Sequence, residues 1–156
     1  RVHGIKRKQD LDEIVEKTIG NETKLFYIMH PVSEERTRII TPINNRKVKM
    51  RAIMPLEEAK KIVNAIINRN VNLITDRRQR EKTYTQILKD GNPSEIVEII
   101  NALILEENEK TKAGKNVSVA DKRYLEKAEK LLYSELSVCF NIEMDKVKEK
   151  ILGILL

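Results

Sequence analysis

Residues 92–104 read Asn-Pro-Ser-Glu-Ile-Val-Glu-Ile-Ile-Asn-Ala-Leu-Ile, and this stretch predicts a central helix. Asn92 is a typical helix-capping residue, Pro93 suits the first helical position, and Glu95 follows the cap by three residues. The apolar residues that follow cover a wide face of the helix: Ile96, Val97, Ile99, Ile100, Leu103 and Ile104. A helix with so wide an apolar face is expected to lie in the middle of a helical domain.

Two helices are predicted before this stretch. Pro55 suits the first turn of one of them, and apolar residues follow it at helical spacing. Residues 69–76 form a predicted linker. The other helix is expected to run from Arg77 to Lys89 and to end near Gly91, a residue that favours helix ends.

Two further helices are predicted after it. Ser118 caps the first, with Asp121 three residues later. The apolar face of that helix consists of Tyr124, Leu125, Ala128, Leu131, Leu132 and Leu136. Asn141 is expected to cap a last short helix. Residues 54–156 therefore predict a compact all-α domain of about five helices.

Residues 1–53 show a different pattern, in which short β-branched and aromatic runs alternate with turn residues. We expect one long bent hairpin or two short strands over Val2 to about Lys17, followed by strands at Lys24–Met29, Arg38–Pro42 and Val48–Ile53. So many short strands indicate a small curled sheet, such as a Tudor or SH3-like barrel. The predicted fold class is α+β. Because the chain starts inside an apparent strand, we also expect a short N-terminal segment to be missing.

The composition favours an anionic partner. The formal net charge is +6, so nucleic acid is the first candidate and an anionic membrane surface the second. No apolar run reaches the roughly 18 residues that a transmembrane helix requires. Cys139 is the single cysteine, which excludes an intrachain disulfide and a cysteine metal cluster and fits the reducing cytoplasm.

Residues that would carry catalysis do not form recognisable motifs. His3 and His30 have no carboxylate or cysteine at ligand spacing in the sequence, and the five glycines are scattered. No nucleophile-elbow motif occurs, and the carboxylates alternate with lysines as on solvated helix faces. We therefore expect no enzyme activity, no metal, no cofactor and no small-molecule substrate.

Basic residues cluster at two places in the helical part. The first group is Arg77, Arg78, Arg80 and Lys82, and the second is Lys122, Arg123, Lys127 and Lys130. Solvated helix faces are the ordinary interpretation of each group. Both groups in one compact domain favour contacts to neighbouring phosphates instead. Aromatic residues are few, which disfavours single-strand binding, and Tyr84 and Tyr124 are expected in the core.

The same stretches resemble the CarD/CdnL family of transcription regulators. Residues 90–103, DGNPSEIVEIINAL, resemble the family helix "SGD…xxVAEVVRDL", and residues 118–136 resemble "LSxxEKRxLxxAxxxLxxEL". In the β part, weaker similarities occur at Val2–Ile5, Glu22–Ile28 and Thr41–Asn45. The resemblance covers nearly the whole chain in the right order.

This resemblance implies a mechanism. The Tudor-like domain would bind the β subunit of RNA polymerase through Lys17, Arg38, Ile39 and Ile40. The helical domain would bind double-stranded promoter DNA at the upstream edge of the transcription bubble, through the two basic groups, and stabilise the open complex. Many family members place a tryptophan wedge just before the second helix, a position that falls near Asp76 or Arg77; this chain contains no tryptophan.

Two other functions remain open from the sequence. The first is a protein-interaction module that binds RNA polymerase without direct DNA contact. The second is an enzyme that acts on nucleic acid, which predicts a metal site or a carboxylate cluster in a cleft.

Overall fold

The structure, a computed structural model, describes residues 2–4, 7–32, 34–47, 50–68 and 71–155. The chain divides into two units, Arg1–Ile53 and Met54–Leu156. The first unit contains a β-sheet and the second contains helices, so the predicted α+β class is confirmed.

Within the described residues, the sheet has five strands in the order β4-β3-β2-β1-β5, and its strand pairs are antiparallel. The strands are β1 Val2–Gly4, β2 Arg7–Ile19, β3 Glu22–Pro31, β4 Ile39–Pro42 and β5 Met50–Ala52. The long β2–β3 hairpin turns at Gly20, whose φ of 64° suits a residue without Cβ. Phe26, Ile28 and Met29 of β3 are buried.

The sheet is open rather than a closed barrel, which corrects that part of the predicted fold. Its order ends at β4 on one side and at β5 on the other, and the described residues of these two strands are not paired. A closed barrel requires its first and last strands to pair, which the described residues of β4 and β5 do not do. Val48 and Lys49, expected in the last strand, lie outside the described residues.

Five helices follow in the described part of the chain. They are α1 Leu56–Ile67, α2 Arg77–Asp90, α3 Pro93–Lys112, α4 Val119–Phe140 and α5 Met144–Leu155. Asn92 and Ser118 cap α3 and α4 as predicted, since their side chains accept hydrogen bonds from the N–H groups of Ser94 and Asp121. Gly91 ends α2 with a φ of 72°.

Asn141 does not start the last helix, contrary to the prediction. It ends α4 in the left-handed conformation, with a φ of 53°. Its N–H donates to carbonyls of the last turn, so it satisfies acceptors at a helix end rather than donors at a helix start. Asparagine tolerates both roles, and for this reason local sequence did not distinguish them.

The core of the helical unit confirms the central position of α3. Eight consecutive or nearly consecutive residues of this helix are buried: Ile96, Val97, Ile99, Ile100, Asn101, Ala102, Leu103 and Ile104. Side chains of α1, α2, α4 and α5 complete the same apolar cluster. The N-terminal residue of the unit, Met54, is buried in this cluster as well.

Candidate functional site

Arg80 is buried, which removes it from the exposed basic group predicted at the start of α2. Its Nη1 donates to Glu106 of α3 at 2.9 Å and to Asp121 of α4 at 3.0 Å. Its Nε donates to the carbonyl of Ile74, just before α2, at 2.7 Å. Since these acceptors occupy the guanidinium, Arg80 is a structural ion-pairing residue and not a surface contact.

The charges around Arg80 balance one another. Lys110 lies 3.2 Å from Glu106, so two cations face two carboxylates. Burial alone would lower the pKa of Arg80, but the hydrogen bonds and charges of Asp121 and then Glu106 outweigh it and raise that pKa above its ordinary value. The network therefore stays charged and internally paired.

Asp121 connects this network to the start of α4. Its Oδ2 accepts from the Ser118 hydroxyl at 2.8 Å, and its backbone N–H donates to the same hydroxyl oxygen at 3.1 Å. One carboxylate thus contacts both the capping residue of α4 and the guanidinium from α2. The position of Arg80 is coupled to the first turn of α4.

Two contacts bring the N-terminal turns of α2 and α4 together. Arg80 meets Asp121, and about one turn further along both helices the rings of Tyr84 and Tyr124 meet edge to face, with centroids 5.6 Å apart. These parts of the two helices therefore lie side by side. Their N-terminal turns, which carry the positive ends of the helix dipoles, lie at the same end of the helical unit.

The other basic residues predicted to face DNA are exposed, namely Arg77, Arg78, Lys82, Lys122, Arg123, Lys127 and Lys130. On α2, Arg78 and Lys82 are four residues apart and share one face. One face of α4 carries Arg123, Lys127 and Lys130. Lys122 is turned about 100° around the helix from Arg123 and borders this face. We call the exposed faces of α2 and α4 that carry these seven residues the basic surface.

Sequence reasoning missed three exposed lysines near the basic surface. Lys89 follows Lys82 by seven residues and so lies on the same face of α2, a spacing that the sequence already contains. Lys112 ends α3, and Lys115 lies in the loop that leads to Ser118. Exposed Glu81 and Glu126 border the basic surface.

The residues predicted to bind polymerase lie at two separate places in the sheet. Ile39 and Ile40 are in the edge strand β4, opposite Met29 and Ile28, and Arg38 directly precedes them. Lys17 pairs with Lys24, four residues along β3 from Ile28, or about 13 Å along the strand. Lys17 is thus not part of the β4 edge.

The hydrogen bonds of β3 show which residue of β4 faces outward. Ile43 N donates to Leu25 O at 3.0 Å, and bonded pairs alternate along an antiparallel ladder. By this alternation Thr41 and Ile39 bond to β3, whereas the N–H and carbonyl of Ile40 point away from it. The Ile40 side chain is 48% exposed. This backbone position can therefore accept an added strand.

The described residues also bear on membrane and metal binding. No helix there is both long enough and apolar enough to span a bilayer. In the same residues, no three His, Cys, Asp or Glu side chains group as ligands of a metal ion would.

Comparison with protein families decides the identity of the helical unit. The sequence pattern of the CarD C-terminal domain matches residues 61–152, which is more than half of the chain. This chain belongs to the CarD family. It is therefore a CarD-like, transcription-associated protein. No curated protein gives a significant match to the chain.

The CarD match covers the basic surface but not the sheet. Residues 61–152 include all of α2, α3 and α4, hence every residue of the basic surface and of the Arg80 network. The sheet precedes the matched range, so the assignment of Lys17, Arg38, Ile39 and Ile40 to polymerase stays a prediction.

In this CarD-family chain, a capping residue and an arginine occupy the region in which the resemblance led us to expect a tryptophan. Asp76 caps α2 by accepting from Gln79 N at 2.8 Å, and Arg77 is the exposed first residue of the helix. An arginine can enter a minor groove, but it cannot act as an apolar wedge between base pairs.

Proposed function

We propose that this protein is a transcription regulator that binds RNA polymerase through its sheet and promoter DNA through its helical unit. Binding at the upstream edge of the bubble would stabilise the open complex, without catalysis and in the cytoplasm. Membership of the CarD family supports the link to transcription. The two contacts are supported by separate features of the two units.

The observation that carries the DNA contact is the contact between the N-terminal turns of α2 and α4. It brings Arg78 and Lys82 on one helix to the same end of the unit as Arg123 and Lys127 on the other. Phosphates are held by such exposed cations and by helix N-termini, independently of base sequence. The geometry therefore favours contacts along a DNA backbone.

The polymerase contact is supported by the outward backbone of Ile40 at the β4 edge. An edge strand with an unpaired N–H and carbonyl can bind an extended segment of a partner by strand addition. The partner expected from the resemblance is the polymerase β subunit. Arg38, exposed beside this edge, could add a charge contact.

A shift toward the open promoter follows if the basic surface binds the opened DNA better than the closed DNA. A ligand moves an equilibrium only by its differential affinity for the two states. Because the chain lacks tryptophan, phosphate contacts near the bubble edge would supply this difference instead of an apolar wedge.

A titration with double-stranded and bubble-containing promoter DNA at several salt concentrations tests the DNA contact. Arg123→Glu combined with Lys127→Glu should weaken binding and reduce the salt slope by about one per lost phosphate contact. The matched control is Lys146→Glu with Lys150→Glu, which changes the charge equally on exposed α5 positions at the same spacing. Absence of salt-dependent binding by the unaltered protein would favour the alternative, a polymerase-binding module without DNA contact.

Co-purification with RNA polymerase tests the other contact. Ile40→Pro removes the outward N–H, while the bonds of Ile39 and Thr41 to β3 can remain. We expect this variant to lose polymerase and to keep DNA affinity, whereas Ile40→Ala keeps the N–H and should retain most of the binding. Full retention of polymerase by a folded Ile40→Pro variant would contradict strand addition at β4.

A further inference from the structure

Arg80 lies where three helices and one loop meet, although it contributes no surface charge. It contacts Ile74 before α2, Glu106 on α3 and Asp121 on α4. We propose that Arg80 is a positioning residue for DNA binding, which holds the first turn of α2, with Arg77 and Arg78, in place where α2 meets the start of α4. This inference rests on the proposed DNA-binding function.

The packing of α2 makes this role specific to Arg80. Arg80, Tyr84 and Ile87 are the buried residues of α2. Ile87 belongs to the apolar cluster of the unit, and the Tyr84 ring contacts Tyr124. Among these three residues, Arg80 is the one nearest the helix start. It is therefore the main anchor for the first turn, which carries Arg77 and Arg78.

The contacts of Arg80 define both the position and the orientation of its guanidinium. A guanidinium donates in a fixed planar fork, so acceptors on Ile74 and Asp121 restrict its orientation more than a single ion pair would. The Ile74 carbonyl places the segment that enters α2, and Asp121 is itself bonded to the cap of α4. A shift of either helix start would break at least one of these bonds.

Joint positioning affects how many phosphates are bound at once. Cations on two rigidly connected helices act as one site, because binding by the first raises the effective concentration of the second. If the first turn of α2 is no longer held in place, its cations bind DNA less often. The cations of α4 bind as before. The salt slope, which reflects the number of neutralised phosphates, then falls.

The experiment measures DNA affinity against salt for Arg80→Met and Arg80→Lys in the full chain, with circular dichroism to confirm folding. For Arg80→Met we expect a slope reduced by about two, as for loss of the contacts of Arg78 and Lys82. Arg80→Lys keeps one charged donor and should lie between Arg80→Met and the unaltered protein. In a background of Arg77→Ala, Arg78→Ala and Lys82→Ala, Arg80→Met should have little further effect, because the α2 contacts that it positions are already absent.

Leu136→Ala is the matched control for a general loss of stability. Leu136 is fully buried near the other end of α4, so its truncation weakens the unit without touching the Arg80 network. Its salt slope should equal that of the unaltered protein at a temperature where both are folded. If Arg80→Met does not fold, Glu106→Gln replaces it, because this change weakens the ion pairs of Glu106 with Arg80 and Lys110 and leaves the cap of α4 intact. A smaller reduction in slope is then expected.

The outcomes distinguish a failure of the proposed DNA-binding function from a failure of the positioning role of Arg80. If the unaltered protein shows no salt-dependent DNA binding, the proposed function fails and this inference fails with it. If the unaltered protein binds but folded Arg80→Met or Glu106→Gln keeps the full slope, Arg80 has no positioning role and the proposed function stands. An equal effect of Arg80→Met with and without Arg77, Arg78 and Lys82 would also overturn the inference.

Discussion

The backbone N–H of Met54 donates to Oε2 of Glu135 at 3.0 Å, a bond between the first residue of the helical unit and the C-terminal part of α4. Glu135 is 1% exposed and Met54 is 6% exposed. The Cys139 thiol donates to the carbonyl of the same Met54 at 3.4 Å. The chain thus enters the helical unit with its backbone polar groups satisfied by side chains one helical turn apart on α4.

Replacement of Glu135 by alanine should destabilise the helical unit by about 1–3 kcal/mol, because the buried N–H of Met54 loses its acceptor. Glu135→Gln is the control that keeps an acceptor oxygen, and its loss should be smaller. Urea unfolding followed by far-ultraviolet circular dichroism measures both. Equal losses for the two variants would show that the negative charge, and not the acceptor, is what matters.

The cap of α4 should also contribute measurably to stability. Ser118→Ala removes both hydrogen bonds between this side chain and Asp121, at an expected cost of about 1 kcal/mol. Thermal unfolding compared with Ser94→Ala provides the control, since Ser94 lies in the first turn of α3 and receives its cap from Asn92. A cost at Ser118 no larger than that at Ser94 would contradict the assigned capping role.

Alkaline pH should destabilise the protein through Tyr133. Burial, with a smaller contribution from Glu129, raises the pKa of this phenol above its ordinary value. The unfolded phenol releases its proton near pH 10, whereas the folded phenol retains it, so its stabilising effect is complete below about pH 10 and is lost as pH rises further.

Tyr133→Phe tests this linkage, because the variant has no phenol to titrate. The difference in free energy of unfolding between the unaltered protein and Tyr133→Phe should be constant at neutral pH and should change in favour of the variant above pH ~10. Lysines titrate equally in both proteins and cancel. A difference that does not vary with pH would show that Tyr133 does not cause the loss of stability at alkaline pH.

Replacement of glycine by alanine should change the stability of the protein in opposite directions at two positions. Gly20 has a φ of 64° in the β2–β3 turn, so Gly20→Ala should cost about 1 kcal/mol although no atom lies within 4 Å of the new Cβ. Gly153 lies within α5, with nothing within 4 Å and no positive φ, and Gly153→Ala should stabilise by about 0.5 kcal/mol. Circular dichroism during thermal unfolding measures both, and the same sign for the two would contradict the backbone argument.

Local chemistry explains which elements could be predicted. Asn92, Ser118 and Gly91 mark helix ends because each satisfies backbone groups of its own neighbours, and the structure confirms all three. The prediction that Asn141 starts the last helix was wrong because asparagine stabilises helix starts and left-handed helix ends alike. Its role depended on where α5 begins, which the local sequence does not specify.

The burial of one residue of the candidate site could not be predicted from the local sequence. Arg80 looked like its exposed neighbours, since the sequence around it is uniformly polar. Its burial depends on Glu106 and Asp121, which lie 26 and 41 positions further along the chain. The open sheet is a similar case, because closure of a barrel depends on strand lengths and pairing that propensity does not determine.

By itself, the sequence determined the α+β class, the central helix, the family and the set of basic residues, because periodicity, capping and charge are properties of neighbouring positions. Tertiary structure alone decided that α2 and α4 start side by side, that Ile40 presents its backbone at the sheet edge, and that Arg80 joins helices rather than facing DNA. These relationships depend on contacts between residues that are distant in the chain, which only the folded backbone brings together.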